Sequence, residues 1–422
     1  MNHHSFAPTP PMGWNSWDCY GASVTEEEVR GNAEYIAEHL KEYGWNYVIV
    51  DIQWYEPTAD SSRYHSFYPL EMDEYSRLIP ATNRFPSAVG GQGFKPLADY
   101  IHSLGLKFGI HLMRGIPRQA VHAATPILGT NVTARDITHP NSICQWNTDM
   151  YGVDASREGA QEYYNSLLQL YASWGVDYIK VDDLSAPHYA KGEIELLRQA
   201  IDNSGRNIVL STSPGPAPIE ESEHLIEHAN LWRMTNDYWD LWELLLDMFD
   251  RCHQWASHVG PGHWPDCDML PLGHIGIRNM DTGGDRFTRF TKNEQLTMMT
   301  LWSVFRSPLM FGGELRDNDE WTLSLLTNKD VLHLNQHGHS ARQLYREGNH
   351  IVWTASDKEN RQYVALFNTG ESEEIVSVSL DQLGLNRSVV VQDLWNKSSL
   401  GTVNSQCDIR VPSHGAVLVR LD

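Results

Sequence analysis

The sequence is poor in positive charge. Its 32 Lys and Arg stand against 54 Asp and Glu, a formal net charge of -22. That balance argues against nucleic acid or an anionic membrane as partner, because both are bound through clustered basic residues. Long apolar runs are also missing, and nothing approaches the roughly 18 residues that a spanning helix requires. The opening Met1-Asn2-His3-His4-Ser5-Phe6 lacks the cationic and apolar segments of a signal peptide, so a cytoplasmic protein is expected. Cysteine is scarce too. Cys19, Cys144, Cys252, Cys267 and Cys407 are odd in number and scattered, without the close pairs of a zinc site or the density of a disulfide scaffold. They are expected to be reduced and structural, and the sequons at Asn131, Asn386 and Asn396 then carry no glycan. No low-complexity linker divides the chain, so its parts are expected to pack firmly.

What is present is a chain of 422 residues, 41% hydrophobic and 20% charged, long enough for a large core and two domains. Fifteen tryptophans exceed what packing needs. Rings with a polar handle suit ligands with apolar faces and polar edges, as sugars have.

One stretch organises the rest. Tyr178, Ile179 and Val181 form the apolar run of a strand buried on both faces, and it ends in Lys180-Val181-Asp182-Asp183. Charges at the carboxyl end of a buried parallel strand mark the place where such folds carry their chemistry. A repeated phrase surrounds it. Helix, glycine turn and apolar strand recur at Gly44 before Tyr47, at Gly105 before Leu106, at Gly175 before Tyr178 and at Gly205 before Ile208. Thr25 and Glu28 form a capping box that opens a helix running to Tyr43. The connections leaving the strands are long, so one face is elaborated.

Strands are expected at Met12 to Asn15, Tyr47 to Val50, Lys107 to His111, Tyr178 to Val181, Ile208 to Ser211, Leu231 to Met234, Trp264 to Met269 and Leu309 to Phe311. Eight strands with helices between them predict a (β/α)₈ TIM barrel of the α/β class over residues 1–335. Beyond Asn335, short strand-like runs at Ile351 to Thr354, Tyr363 to Asn368, Ile375 to Leu380, Val389 to Leu394 and Val417 to Leu421 predict an antiparallel β-sandwich over 336–422.

Such a barrel presents Trp17, Asp51, His111, Lys180, Asp182, Ser213, Arg233, Asp237 and Asp268 at one mouth. A carboxylate-rich pocket suits glycoside cleavage, in which an oxocarbenium-like transition state needs a nucleophile or base and an acid. Asp182, two residues after Lys180, is the candidate nucleophile, and Asp237, four after Arg233, the candidate acid. A gap of roughly 5 to 7 Å between them would suit double displacement. His263, Asp266, Cys267 and Asp268 crowd together but lack a zinc-site spacing, so no metal is expected.

Taken in order, Met12-Gly13-Trp14-Asn15-Ser16-Trp17, Val50-Asp51-x-x-Trp54, Gly105 to Ile110, Trp174 to Asp182, Trp232-Arg233-x-x-x-Asp237 and Pro265-Asp266-x-Asp268-Met269-Leu270 resemble glycoside hydrolase family 27, the α-galactosidases and α-N-acetylgalactosaminidases. The likeness spans most of residues 9 to 315. It implies a retaining hydrolase without cofactor acting on a carbohydrate, with Asp182 as nucleophile and Asp237 as acid/base. It also implies sugar contacts from Trp17, Asp51, Lys180, Arg233 and Asp268.

The departures bear on specificity. Where the family's galactosidases usually carry a second aspartate after Asp51, this chain has Ile52, and His111 stands in place of a tyrosine. Ser213 and Ala217 resemble the roomier segment that admits a 2-acetamido group. Three readings stay open: an exo-α-glycosidase for galactose or N-acetylgalactosamine, a glycosidase for a related sugar such as β-L-arabinopyranose, and a carbohydrate sensor without turnover.

Overall fold

The computed structural model describes residues 2–422, so Met1 lies outside it. Eight parallel strands form the main sheet: β1 (Met12–Asn15), β2 (Tyr47–Val50), β3 (Lys107–Met113), β4 (Tyr178–Asp182), β5 (Val209–Thr212), β6 (Leu231–Arg233), β7 (Trp264–Asp266) and β8 (Leu309–Phe311). Their spatial order is β7-β6-β5-β4-β3-β2-β1-β8. The sheet curls until its edges meet. Leu270, just past β7, donates its amide to Met310 (2.7 Å) and accepts from Gly312 (3.0 Å), which closes the ring.

Burial follows from sequence. All four residues of β1 and of β2 are buried, as expected for strands with the barrel interior on one side and helices on the other. The glycines at positions 44, 105, 175 and 205 all take positive φ at the end of a helix, which lets the chain turn sharply back into a strand. The outer ring includes α1 (Glu26–Tyr35), α2 (Lys95–Ser103), α3 (Ala160–Ser173), α4 (Lys191–Ser204), α5 (Ser222–His228), α6 (Trp242–Trp255) and α7 (Lys292–Phe305). The capping box at Thr25 and Glu28 is formed. The helix it opens is not uniform to Tyr43, however. After Tyr35 it widens over Ile36–Leu40 and tightens over Lys41–Tyr43.

The elaborated face carries its own structure. Between β3 and α3 the chain forms a small antiparallel sheet from Ile116–Pro117, Thr138–Ile143 and Met150–Val153.

A helix at Lys329–His337 spans the expected junction at 335, and antiparallel strands begin at His339. The second unit has a six-stranded sheet in the order β9 (His339–Glu347), β10 (His350–Ser356), β11 (Gln362–Asn368), β16 (Gly415–Leu421), β13 (Val389–Asp393), β14 (Ser398–Val403). A two-stranded sheet, β12 (Glu374–Ser379) with β15 (Gln406–Val411), completes it. Strand alternation divides the six-stranded sheet between two cores. Val352, Val364, Leu366 and Val419 pack with Val376, Val378 and Ile409 of the smaller sheet. Ile351, Trp353, Tyr363 and Phe367 turn the other way and join the barrel core. Phe367 meets Phe249 of α6 edge to face at 4.9 Å, and Trp242 stacks on His414 at 3.8 Å. Helix α7 is buried on nearly every side because it lies between barrel and sandwich. Among the described residues no helix is long and apolar enough to cross a membrane.

Candidate active site

The carboxyl ends of the barrel strands open into a cavity of about 350 Å³. Trp17, Asp51, Lys180, Asp182, Arg233, Asp237 and Asp268 all line it, so seven residues singled out from sequence meet at one place. They fall into two ion-paired groups.

The first group sits over β2, β3 and β4. Lys180 Nζ donates to Asp51 Oδ2 (3.0 Å), the oxygen that also accepts from Asn15 Nδ2 (2.7 Å). The Ile52 amide donates to the other Asp51 oxygen (2.8 Å). Both carboxylates of this group are held ionised. Burial would raise the Asp182 carboxyl, but the Lys180 charge and the His111 contact overcome it and hold it well below the usual carboxylate range. Asp51 shows the same competition, burial against Lys180 and His111, and is also lowered. Burial pulls on Lys180 in the opposite sense, yet Asp51 and Asp182 raise it above its ordinary value and it stays charged. His111 Nε2 contacts Asp182 Oδ2, while among the described residues Asp182 Oδ1 has no hydrogen-bond partner.

The second group belongs to β6 and β7. Arg233 bridges two carboxylates, Asp237 Oδ1 at 3.0 Å through Nη2 and Asp268 Oδ1 at 2.9 Å through Nη1. Its neighbours differ in exposure. The Asp237 side chain is 52% exposed and that of Asp268 9%, so Asp237 alone reaches well into solvent. Burial raises the Asp268 carboxyl, with Arg233 opposing. Beneath them Asp266 is pushed up to about 7 by burial and by the charge of Asp268.

The remaining expected residues lie behind the wall. His111 is fully buried and backs Asp182 rather than lining the cavity. Ser213 borders a much smaller hollow of about 20 Å³ beneath the floor, shared with Asp266 and Lys180. Ala217 is buried and its amide donates to the Arg233 carbonyl (2.9 Å). The Pro214-Gly215-Pro216 segment explains this placement. It runs so close to the next strand end that a Cβ on Gly215 would lie 2.5 Å from the Arg233 carbonyl oxygen.

Several wall residues came from loops where periodicity gives no signal. Ser62, Tyr64, Trp146, Trp239 and Asp281 line the cavity, as does Asp18 of the short helix Trp17–Tyr20. Tyr64 lies against Trp17 with ring centroids 6.1 Å apart and an interplanar angle of 21°. Asp18 is nearly fully buried, and burial and Asp268 raise its carboxyl well above the usual range. Asp183 takes a positive φ of 65° and pairs with Arg114 (2.6 Å). Cys267 lies beside Cys252, Sγ to Sγ 3.6 Å, in the core.

A largely buried ionised carboxylate, a second, more exposed one lining the same cavity, and aromatic walls can accommodate a sugar ring and displace its anomeric substituent. Comparison with known proteins agrees. Residues 9–158 and 149–337 match the family described as α-galactosidase A, and residues 347–421 match the α-galactosidase C-terminal β-sandwich domain. α-Galactosidase 2 of Arabidopsis thaliana is 28% identical over 427 residues, covering 100% of this chain and 91% of that protein. Among solved structures, a family 27 β-L-arabinopyranosidase from Geobacillus stearothermophilus is 66% identical with a TM-score of 0.99, over 100% of this chain and 98% of that one. A Bacillus halodurans protein provisionally described as an α-N-acetylgalactosaminidase is 57% identical with a TM-score of 0.90, over 98% and 97%. The chain belongs to the α-galactosidase A family and is a glycoside hydrolase of family 27.

Proposed function

We propose that the protein is a retaining exo-glycosidase that releases terminal β-L-arabinopyranose. The observation that carries this reading is Ile52. It follows Asp51 directly, is buried at 1% exposure, and belongs to a chain 66% identical along its whole length to a β-L-arabinopyranosidase. β-L-Arabinopyranose has the ring stereochemistry of α-D-galactose without the exocyclic hydroxymethyl group. A pocket for it has no sixth hydroxyl to grip, and an isoleucine can stand where galactosidases of the family place a second aspartate.

Asp182 attacks the anomeric carbon while Asp237 gives a proton to the departing glycosidic oxygen. Asp237 then takes a proton from the water that attacks the glycosyl-Asp182 ester, so two inversions return the original configuration. Lys180 and Asp51, held together, hydrogen-bond the hydroxyls on one edge of the ring, and Arg233 with Asp268 those on the other. Trp17 covers an apolar face. His111 and Ser213 act from behind, His111 by keeping Asp182 ionised.

A second reading, α-N-acetylgalactosaminidase, is favoured by the Bacillus halodurans likeness. One panel decides between them: nitrophenyl β-L-arabinopyranoside, α-D-galactoside, N-acetyl-α-D-galactosaminide and α-D-glucoside. The arabinopyranoside is expected to have a kcat/KM at least about tenfold above the others, the scale on which one missing group is discriminated. A higher value for the acetamido sugar would replace the first reading by the second. Sugar binding with no hydrolysis of any substrate would overturn both in favour of a sensor.

A further inference from the structure

On the outer ring, Glu195 of α4 and His224 and His228 of α5 bring a carboxylate and two imidazoles together. One ligand atom from each lies within 4.8 Å of the others. None belongs to the cavity described above. We propose that these three side chains form a site for a divalent transition-metal ion of the zinc class.

The two histidines are four residues apart on one helix, the spacing that puts both rings on the same face. Their rings are stacked with centroids 4.2 Å apart and an interplanar angle of 28°. Each ring has its second nitrogen already occupied. His228 Nδ1 lies 2.9 Å from the His224 carbonyl oxygen, which can only accept, so Nδ1 carries the proton and Nε2 of the neutral ring offers a lone pair. His224 Nδ1 lies 2.6 Å from the Tyr189 hydroxyl, a partner that fixes the ring and leaves Nε2 facing Glu195. Supporting contacts of this kind orient histidine ligands in metal sites.

The distance fits as well. His224 Nε2 and Glu195 Oε1 are 3.3 Å apart. Two ligands each about 2.0–2.1 Å from a tetrahedral zinc stand about 3.3–3.4 Å from one another. Glu195 is half exposed, so its carboxylate can turn to close the wider gap, and the fourth position is open to water. Two imidazoles with one carboxylate suit zinc, cobalt, nickel or copper and not calcium or magnesium, which take oxygen ligands. The nearest cation, Lys191, is paired with Glu221 at 3.2 Å. An ion here would clamp α4 to α5, the helices that follow the strand bearing Asp182 and the one after it.

The test is titration of chelator-stripped protein with zinc by calorimetry, and with cobalt(II) by visible absorption, alongside thermal melts. Unaltered protein should take up one equivalent, show the intense absorption of four-coordinate cobalt, and melt higher with metal. Glu195→Gln and His228→Gln should each weaken uptake by at least about tenfold and abolish the rise in Tm, while their metal-free Tm stays near the starting value. Undiminished binding in both variants would overturn the site. So would a loss of binding on replacing His3 and His4 with alanine while Glu195→Gln has no effect, and so would absence of stoichiometric uptake.

Discussion

His111 Nε2 stands 2.8 Å from Asp182 Oδ2, and its imidazole is sealed from solvent. The contact is a buried hydrogen bond to a charged acceptor, of a type that contributes about 1.5–3 kcal/mol. His111→Phe removes the donor, and the Asp182 carboxyl should become easier to protonate. The acid limb of kcat/KM against pH then moves upward, because a carboxylate held low in the native protein stays ionised in acid only while its partners remain. His111→Tyr, which returns a hydroxyl, should move it part of the way back. An acid limb that stays in place in His111→Phe would show that the histidine does not tune Asp182.

The two proposed catalytic carboxylates should fail in different ways. Asp182→Asn is expected to lower kcat by about 10⁴-fold or more for every substrate. Asp237→Ala should retain turnover on nitrophenyl glycosides, whose leaving group needs little protonation, and added azide should accelerate it to give a glycosyl azide of retained configuration. Full activity in either variant, or an azide of inverted configuration, would refute the assignment.

Ile52→Asp restores an acceptor where the family's galactosidases have one. The ratio of α-galactoside to β-L-arabinopyranoside kcat/KM should increase by about tenfold or more. Because position 52 is buried, the unpaired carboxylate should also lower Tm in the absence of sugar, and galactose should recover part of that loss. A ratio that does not change would remove Ile52 from the specificity argument.

Asp266 gives a pH dependence of opposite sign. Its carboxyl is pushed up to about 7 by burial and by Asp268, above the value it takes once unfolded. The native state therefore binds more protons than the unfolded chain between about pH 4 and 7, and stability is lost as pH rises through that window. Asp266→Asn keeps an oxygen for the Asp268 amide, which now donates to Asp266 Oδ1 at 2.9 Å, and removes the charge. The variant should unfold at higher denaturant than the parent at pH 8, with a difference on the order of 1 kcal/mol or more that shrinks towards pH 4. Equal midpoints at pH 8 would contradict it.

Legibility of the sequence depended on how regular each segment is. Strands β1, β2 and β8 have the expected ends because their residues are apolar on both faces and bounded by turn signals. Trp264 to Met269 was expected to be one strand, but pairing stops at Asp266 and Asp268 takes a φ of 77° to aim its carboxylate at Arg233. In the second unit His339–Glu347 and Ser398–Val403 are edge strands with mostly wetted side chains, so they carry no apolar alternation by which a strand could be read. Site residues on strand ends could be read from the chain because a strand fixes where they point. Tyr64, Trp239 and Asp281 sit on long loops, whose course no local pattern reveals. Ala217 was placed by likeness to a segment that Pro214-Gly215-Pro216 reroutes against the backbone of Arg233.

The six-stranded sheet is wedged between two oily layers, and this bears on any attempt to shorten the protein. Removing everything after Gly338 would strip the cover from α6 and α7 and leave Trp242, Phe249 and Phe305 facing water. An excised barrel would then clump or bind surfactant unless those faces were first redesigned as polar, although every residue of the proposed catalytic pocket would still be in the chain.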